Sequence, residues 1–461
     1  MATFLRGVTM SLAVAMLLVG LSSCCVAAED SGLPWKIGLA RKDITPQQPI
    51  WLAGYASRNK PSEGVLAPLY ATALAIEDSQ GNRGVLITAD VIGFRKEVAE
   101  AAARAIMEKT GLAREQILFN WSHTHTGPVI GLSRPAGYSM GEEDQKVVET
   151  YTRGLIAQYA DLAAEAIADL KPARLAWGVG VVHFPMNRRE FTETGVRLGV
   201  NPRGYADRSV PVLKITDEKD QLRAVLFGCA CHNTTLTGQH YVISGDYAGF
   251  AKAFIEEKLP GVMALFMIGC GGDANPYPRG EIEHAKQHGQ ELGTEVCRVV
   301  GEKLSPVSGP LKTALAEVEL PLLPPPDREK LESMAKGPSH LSETAKRMIE
   351  TLQRGESPPS HYKAPIAVWQ FGNDLTLVAI SGEVVSDFVP LIENEIGHVR
   401  LWIAGYCNEV FGYLPSAKVI REGGYETRGV GTLGFFAPEA EKVVVETVRK
   451  LSEQVGRPPL P

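Results

Sequence analysis

Asn120-Trp121-Ser122-His123-Thr124-His125-Thr126-Gly127-Pro128 is the stretch on which the reading of this chain turns. It follows the apolar run Ile117-Leu118-Phe119 and closes on a Gly-Pro break. An apolar run bounded by turn residues predicts a buried strand that opens into a loop. Alternate side chains of a strand share one face, so His123 and His125 are predicted to point together at the strand end. Two imidazoles so placed suit one metal ligand and one acid/base; two polar residues of an ordinary turn is the competing reading.

Working outward, strand and helix periods alternate along the chain. Upstream, residues 36–45, 68–77 and 84–90 read as strands and 95–109 as a helix. Downstream, a long helix over 142–170 stops before Pro172, and strands follow near 173–183, 210–216 and 222–230. A helix near 248–258, a strand near 262–268 and a helix near 281–304 come next. After a strand at 312–320, residues 327–362 are polar and helical and then loop, a surface excursion. Strands 365–371 and 374–381 form a hairpin around Gly372-Asn373, followed by a strand at 400–404 and a last helix at 437–453. This pattern predicts an α/β fold with mixed β-sheets flanked by helices and an active site on strand-end loops.

The 461 residues are 44% hydrophobic and 22% charged, enough for one large or two medium globular domains. A formal charge of −6 without basic clusters argues against nucleic acid as the partner. Residues 1–28 read as an export signal, with Arg6 ahead of an apolar run from Val8 to Leu21 that is short for a membrane span. Cleavage is expected after Val26-Ala27-Ala28 or, as in a lipoprotein, before Cys24, where a lipid would tether the protein to a membrane surface. The chain is thus expected to be exported: periplasmic, secreted or a cell-surface lipoprotein. Beyond residue 28 five cysteines remain, so at least one thiol is unpaired or bonded between molecules. Cys229 and Cys231 read as small apolar side chains on a buried strand.

Four further strand ends carry chemistry-bearing residues. Cys231-His232-Asn233-Thr234-Thr235 offers a metal ligand or a hydrogen-bonded structural histidine, with Asp246 close downstream, leading into a helix that it could cap. Gly269-Cys270-Gly271-Gly272-Asp273-Ala274-Asn275-Pro276 is a tight loop where backbone can approach a ligand and Asp273 or Asn275 could touch it. Ser381-Gly382-Glu383 offers a carboxylate for a metal or for a helix dipole. Gly405-Tyr406-Cys407-Asn408, running on through Gly412-Tyr413 to Gly424-Tyr425-Glu426, reads as a loop able to wrap a site.

In sequence order, these pieces resemble the catalytic domain of the neutral/alkaline (non-lysosomal) ceramidase family. Asp43-Ile44-Thr45-Pro46 with Gly54-Tyr55 comes first, then Ser122 to Pro128, then Met186-Asn187-Arg188. His232 with Ser244-Gly245-Asp246-Tyr247, Gly272-Asp273, Gly382-Glu383, and Asn408 through Tyr413 to Tyr425-Glu426 complete it. The likeness spans about residues 36 to 435. It implies a zinc site of His123, His232, Glu383 and Tyr413. It also implies His125 as the proton-transfer group, with Tyr425 and Arg188 stabilising an oxyanion or positioning substrate. Two imidazoles and a carboxylate are in any case a common catalytic zinc set, suited to activating water against an amide carbonyl.

The sequence departs from the family in two places. A Gly-Asp-x-Ser-Pro loop is usual there; here the serine position is Asn275, which can donate a hydrogen bond but cannot attack as a serine does. After Tyr425 only a short helical tail is expected, without the family's C-terminal immunoglobulin-like domain. The leading expectation is an exported zinc-dependent amidohydrolase that acts on a linear amide, ceramide or another N-acyl lipid. An ester or phosphoester metallohydrolase, and a non-catalytic surface lipid-binding protein, stand beside it.

Overall fold

The computed structural model describes residues 33–133, 138–337, 339–429 and 434–459. The export signal expected over residues 1–28, with Cys24, lies outside the described residues. Among the described residues, no helix is long and apolar enough to cross a membrane.

Eight strands form the path of the main sheet: β1 (Trp35–Asp43), β2 (Tyr70–Asp78), β3 (Arg83–Ala89), β4 (Ile117–Trp121), β5 (Lys171–Val181), β6 (Ser209–Asp217), β7 (Leu222–Cys229) and β8 (Met263–Ile268). Their spatial order is β8-β7-β6-β5-β1-β2-β3-β4, and β9 (Ser305–Val307) pairs with β5 off this path. The outer pairs β8-β7 and β3-β4 are parallel and the inner pairs antiparallel, so the sheet is mixed, as predicted. A second sheet runs β10 (Leu311–Pro321), β11 (His361–Phe371), β12 (Leu375–Ile380), β13 (Leu401–Ala404), with only its last pair parallel.

The two-residue period of the strands decides the layering. On β7, Ala224 and Leu226 join a core shared with the second sheet, where Trp369, Leu377 and Trp402 meet them. Val225 and Phe227 of the same strand face the other way, onto α3 (Asp246–Lys258) and α4 (Ile282–Val300). Further along that outer face, α1 (Lys96–Thr110) and α2 (Glu142–Ala168) bury Ala102, Leu155 and Ala163 against Ile87 and Phe119. The second sheet turns Val368, Val378 and Ile380 outward under α7 (Phe388–Ile396) and α8 (Glu439–Gln454). The result is four layers, helix-sheet-sheet-helix.

The main sheet curls until its two edges meet. Asn120, on edge strand β4, donates from Nδ2 to Ile268 O (3.2 Å) and Gly405 O (2.9 Å) and accepts from Ile268 N at 2.9 Å. Ile268 lies on the opposite edge strand, so one carboxamide replaces ladder bonds across the gap. Asn408 Oδ1 accepts from Phe119 N (3.2 Å), and Asn233 Nδ2 donates to Ser122 O (2.6 Å). These bonds gather the C-terminal ends of β4, β7, β8 and β13 at one place.

Several elements differ from expectation. Strand β11 starts at His361, within the segment read as polar helix and loop. The rest of that segment forms α5 (Arg328–Ala335) and α6 (Ser339–Gln353), which share a small core of Leu331, Ala345 and Met348. Helix α7 was not foreseen, because Pro390 interrupts its first turn and its apolar residues follow a strand-like run; proline is tolerated there, near a helix start. Asp246 is not a cap. Gly245 precedes the helix, while Asp246, at φ 52°, accepts from Leu236 N and Tyr247 N. The five cysteines of the described residues are all unpaired, four of them buried.

Candidate metal centre

His123 and His125 come together, though not by strand alternation. Strand β4 ends at Trp121, and His123 lies in the left-handed region at φ 59°. Backbone bonds hold this turn: His123 N to Val91 O (3.0 Å) and His125 N to Asn233 O (3.2 Å). The two rings then sit 5.0 Å apart. His232 arrives from the loop after β7, fully buried, with its ring 5.1 Å from that of His123 and 5.8 Å from that of His125. One ligating atom from each of the three lies within 4.8 Å of the others.

Glu383 enters from the end of β12. Its Oε2 stands 3.0 Å from His232 Nε2 and 3.3 Å from His123 Nε2. A short parallel ladder, Glu383–Val384 with Tyr413–Leu414, carries Tyr413 alongside, with its Oη 3.5 Å from His232 Nε2. The four residues implied as ligands therefore converge. Gly272 is required beside them, since a Cβ there would press on the Glu383 and Val384 backbone at about the 2.5–2.8 Å that real contacts avoid.

The hydrogen bonds of the donor set suit a divalent cation. Nδ1 of His123 meets Ile92 O at 2.6 Å, and Nδ1 of His232 meets Gly271 O at 2.7 Å. A carbonyl only accepts, so each Nδ1 carries the proton and each Nε2 turns a lone pair inward. Burial, with Arg188 nearby, pulls the His232 imidazole down to about 4, so it is neutral at ordinary pH. Burial alone would raise the Glu383 carboxyl; His123 and His232 beside it override that and hold it well below the carboxylate range. Neither ring nitrogen of buried His125 has a hydrogen-bond partner. Two inward imidazoles, an ionised carboxylate, a phenol and an orphaned histidine fit a zinc-type cation.

Around these groups Arg188 is the hub. It is 4% exposed, and its three nitrogens reach Glu426 Oε1 (2.9 Å), Asn275 Oδ1 (3.2 Å) and Tyr413 Oη (3.0 Å). Glu426 also takes Arg189 Nη1 at 2.7 Å. Asn275 sits on a short strand, Ala274–Pro276, paired to Pro185–Asn187. Its Oδ1 accepts from Arg188 and from Thr234 Oγ1 (3.1 Å), which fixes the carboxamide with Nδ2 as the remaining donor. Tyr425 packs its ring 5.4 Å from that of Tyr413 and 5.3 Å from the Arg188 guanidinium. Asp273 instead fastens loops: Ser386 N and Oγ and Asn187 Nδ2 donate to it, and burial raises its carboxyl to about 6.

Some contributors escaped the sequence reading. Tyr406 packs against His123 with ring centroids 4.6 Å apart, and Tyr55 meets the His125 ring edge-on at 4.9 Å. Gly54, at φ 89°, lies where any side chain would overlap the His125 ring. The Gly54-Tyr55 pair was visible as a motif, but nothing local tied it to His125. The carbonyls of Ile92 and Gly271 leave no signal in side-chain pattern.

Residues 35–318 match the profile of the neutral/alkaline non-lysosomal ceramidase family, N-terminal region. The chain belongs to that family. Curated relatives include the neutral ceramidase of Pseudomonas aeruginosa, 23% identical over 344 residues, 69% of this chain and 49% of that protein. Neutral ceramidase B of Dictyostelium discoideum is 25% identical over 268 residues, 53% of this chain and 36% of that protein. The chain thus spans between about a third and a half of the length of these relatives. Its fold follows that of the crystallised neutral ceramidase from Pseudomonas aeruginosa, with a TM-score of 0.71 at 18% identity over 93% of this chain and 76% of that one. A ceramidase complexed with C2 gives 0.72 at 19% identity over the same shares.

Proposed function

We propose that this member of the ceramidase family is an exported zinc-dependent amidohydrolase that cleaves a linear amide, ceramide or another N-acyl lipid. The observation that carries the reading is the convergence of His123 Nε2 and His232 Nε2 on Glu383 Oε2, with both Nδ1 atoms turned to carbonyls and His125 left unpartnered. Zinc, when bound by His123, His232, Glu383 and Tyr413, supplies Lewis acidity that polarises a carbonyl and lowers the pKa of water.

The protein's own groups supply the rest. Burial first, then the neighbouring His123 and His232, keep the His125 imidazole well below its usual range. It is therefore neutral, with a nitrogen available to take a proton and pass it to the departing amine. Arg188 holds the Tyr413 oxygen and the Asn275 carboxamide in fixed places. Asn275 Nδ2 and Tyr425 are the donors assigned in this reading to an oxygen that gains charge. Without a serine at position 275, the loop offers no hydroxyl nucleophile, and proton transfer rests on His125.

Metal analysis of the purified chain tests this reading, with N-acyl and ester substrates assayed side by side. One zinc per chain, lost with amide hydrolysis in His123→Ala, is expected; no zinc and unaltered turnover in that variant would reject it. Asn275 also favours a second reading, a non-catalytic lipid-binding protein that keeps the metal. Zinc-loaded protein that binds N-acyl lipid yet cleaves neither amide nor ester would select it.

A further inference from the structure

Three arginines close to the metal centre have no carboxylate partner among the described residues. Arg58, 2% exposed, donates only to the carbonyls of Ala53 (2.6 Å), His125 (2.6 Å) and His240 (3.0 Å), and its Nε has no partner. Arg279 donates to Thr234 O (2.8 Å) and Tyr55 Oη (2.9 Å), both neutral. Arg428 has its Cζ 3.0 Å from the centroid of the Tyr425 ring, and its buried Nε is likewise unpartnered. Arg58 touches the centre directly, and the other two reach it through one tyrosine each. Arg58 bonds the His125 carbonyl, Arg279 holds the tyrosine that packs on His125, and Arg428 covers the tyrosine that packs on Tyr413.

The carboxylates nearby are already engaged. Glu426 is taken by Arg188 and Arg189, Glu383 by the two histidines, and Asp246 by backbone amides. A partly buried guanidinium without a counter-charge is costly, and the cost is relieved when an anion binds. Burial indeed lowers the Arg428 pKa, the direction expected of a cation short of a partner. Arg58 is too enclosed to touch a ligand, but Arg279 and Arg428 are partly exposed and keep N–H donors that no group among the described residues uses. A planar guanidinium with free donors is matched to a carboxylate.

We infer that the preferred substrate is an anionic amide, one that carries a carboxylate within a few bonds of the scissile bond, as an N-acyl amino acid does, with Arg428 and Arg279 as the residues that select it. This rests on the amidohydrolase reading for its chemistry and goes beyond it in naming the substrate class.

N-lauroylglycine and N-lauroylethanolamine form a matched pair, with the same chain and amide but a carboxylate in one and a hydroxyl in the other. The full zinc-loaded chain is expected to bind the glycine amide about tenfold or more tightly by calorimetry, and to hydrolyse it with a correspondingly higher kcat/KM. Added salt should shrink the difference. Arg428→Gln should lose most of it, Arg428→Lys should retain part of it as a folding control, and Arg279→Gln combined with Arg428→Gln should abolish it. Equal binding of the two amides, or an intact preference in Arg428→Gln, overturns the inference. Because binding is measured apart from turnover, anion-selective binding without hydrolysis of either amide would reject the amidohydrolase reading and leave the anion selectivity standing.

Discussion

At the scale of single residues, Asn275 lies against the arginine that also holds Tyr413. The carboxamide of Asn275 is held by two donors on one oxygen, Thr234 Oγ1 and Arg188 Nη1, so its orientation is not free. The contribution proposed for it is a fixed N–H, as in an oxyanion hole, where loss of one donor costs roughly 3–4 kcal/mol. Asn275 is only half-buried, so a smaller effect is expected here. Asn275→Ala should lower kcat about ten- to hundredfold with KM little changed and zinc content intact. Asn275→Asp keeps the shape and both accepted bonds but removes the donor, and should fall at least as far. An Asp variant with the wild-type rate would show that the amide N–H takes no part.

At the scale of elements, the centre depends on two sheet edges held together by Asn120. Its buried carboxamide makes three bonds to backbone groups, two of them to the end of β8 and one to Gly405, and a fourth to Cys407 Sγ at 3.4 Å. Replacing it with leucine strands a buried N–H and two carbonyls, at about 1–3 kcal/mol for each group left unsatisfied. Asn120→Leu is therefore expected to lower the melting temperature by several degrees and to weaken zinc binding about tenfold or more, since His123 and the Gly271 carbonyl lie just beyond the two stitched ends. A variant that melts earlier but binds zinc as tightly would separate the stitch from the site. This feature also marks what the sequence could disclose. The strand that ends in Trp121, the loops that carry His232 and Glu383, and most helices follow from local period and turn residues. The meeting of opposite edges does not, because it is made by one asparagine side chain acting across 148 residues. The pairing of His123 with His125 was legible, but its cause was not: a left-handed turn replaces strand alternation. Tyr413 was reached through family resemblance alone, and the Arg188–Glu426 pair, 238 residues apart, left no local signal.

At the scale of the whole molecule, buried groups of two kinds act on stability between about pH 5 and 8: the imidazoles of His232 and His125, lowered by burial, favour the folded state increasingly as pH rises toward about 7, and two buried carboxyls oppose them. Both carboxyls are raised by burial, Asp273 to about 6 and Glu409 to about 7. In the unfolded chain such groups ionise near 4. A carboxyl whose folded pKa exceeds its unfolded one favours the folded state fully below about 4, and that contribution is lost as pH climbs through the folded pKa. Each shift corresponds to at most about 3 kcal/mol. Glu409 offers the cleaner test, since it is 2% exposed and accepts a hydrogen bond from Tyr362 Oη that a glutamine could also accept. Glutamine mimics the protonated carboxyl at every pH. Glu409→Gln should therefore melt close to wild type at pH 5 and above it at pH 8, with the falling component centred near 7 removed and the one near 6 retained. Parallel melting curves for the two proteins across that range would mean that Glu409 is already ionised in the folded state, and that the core around Tyr362 tolerates a charge.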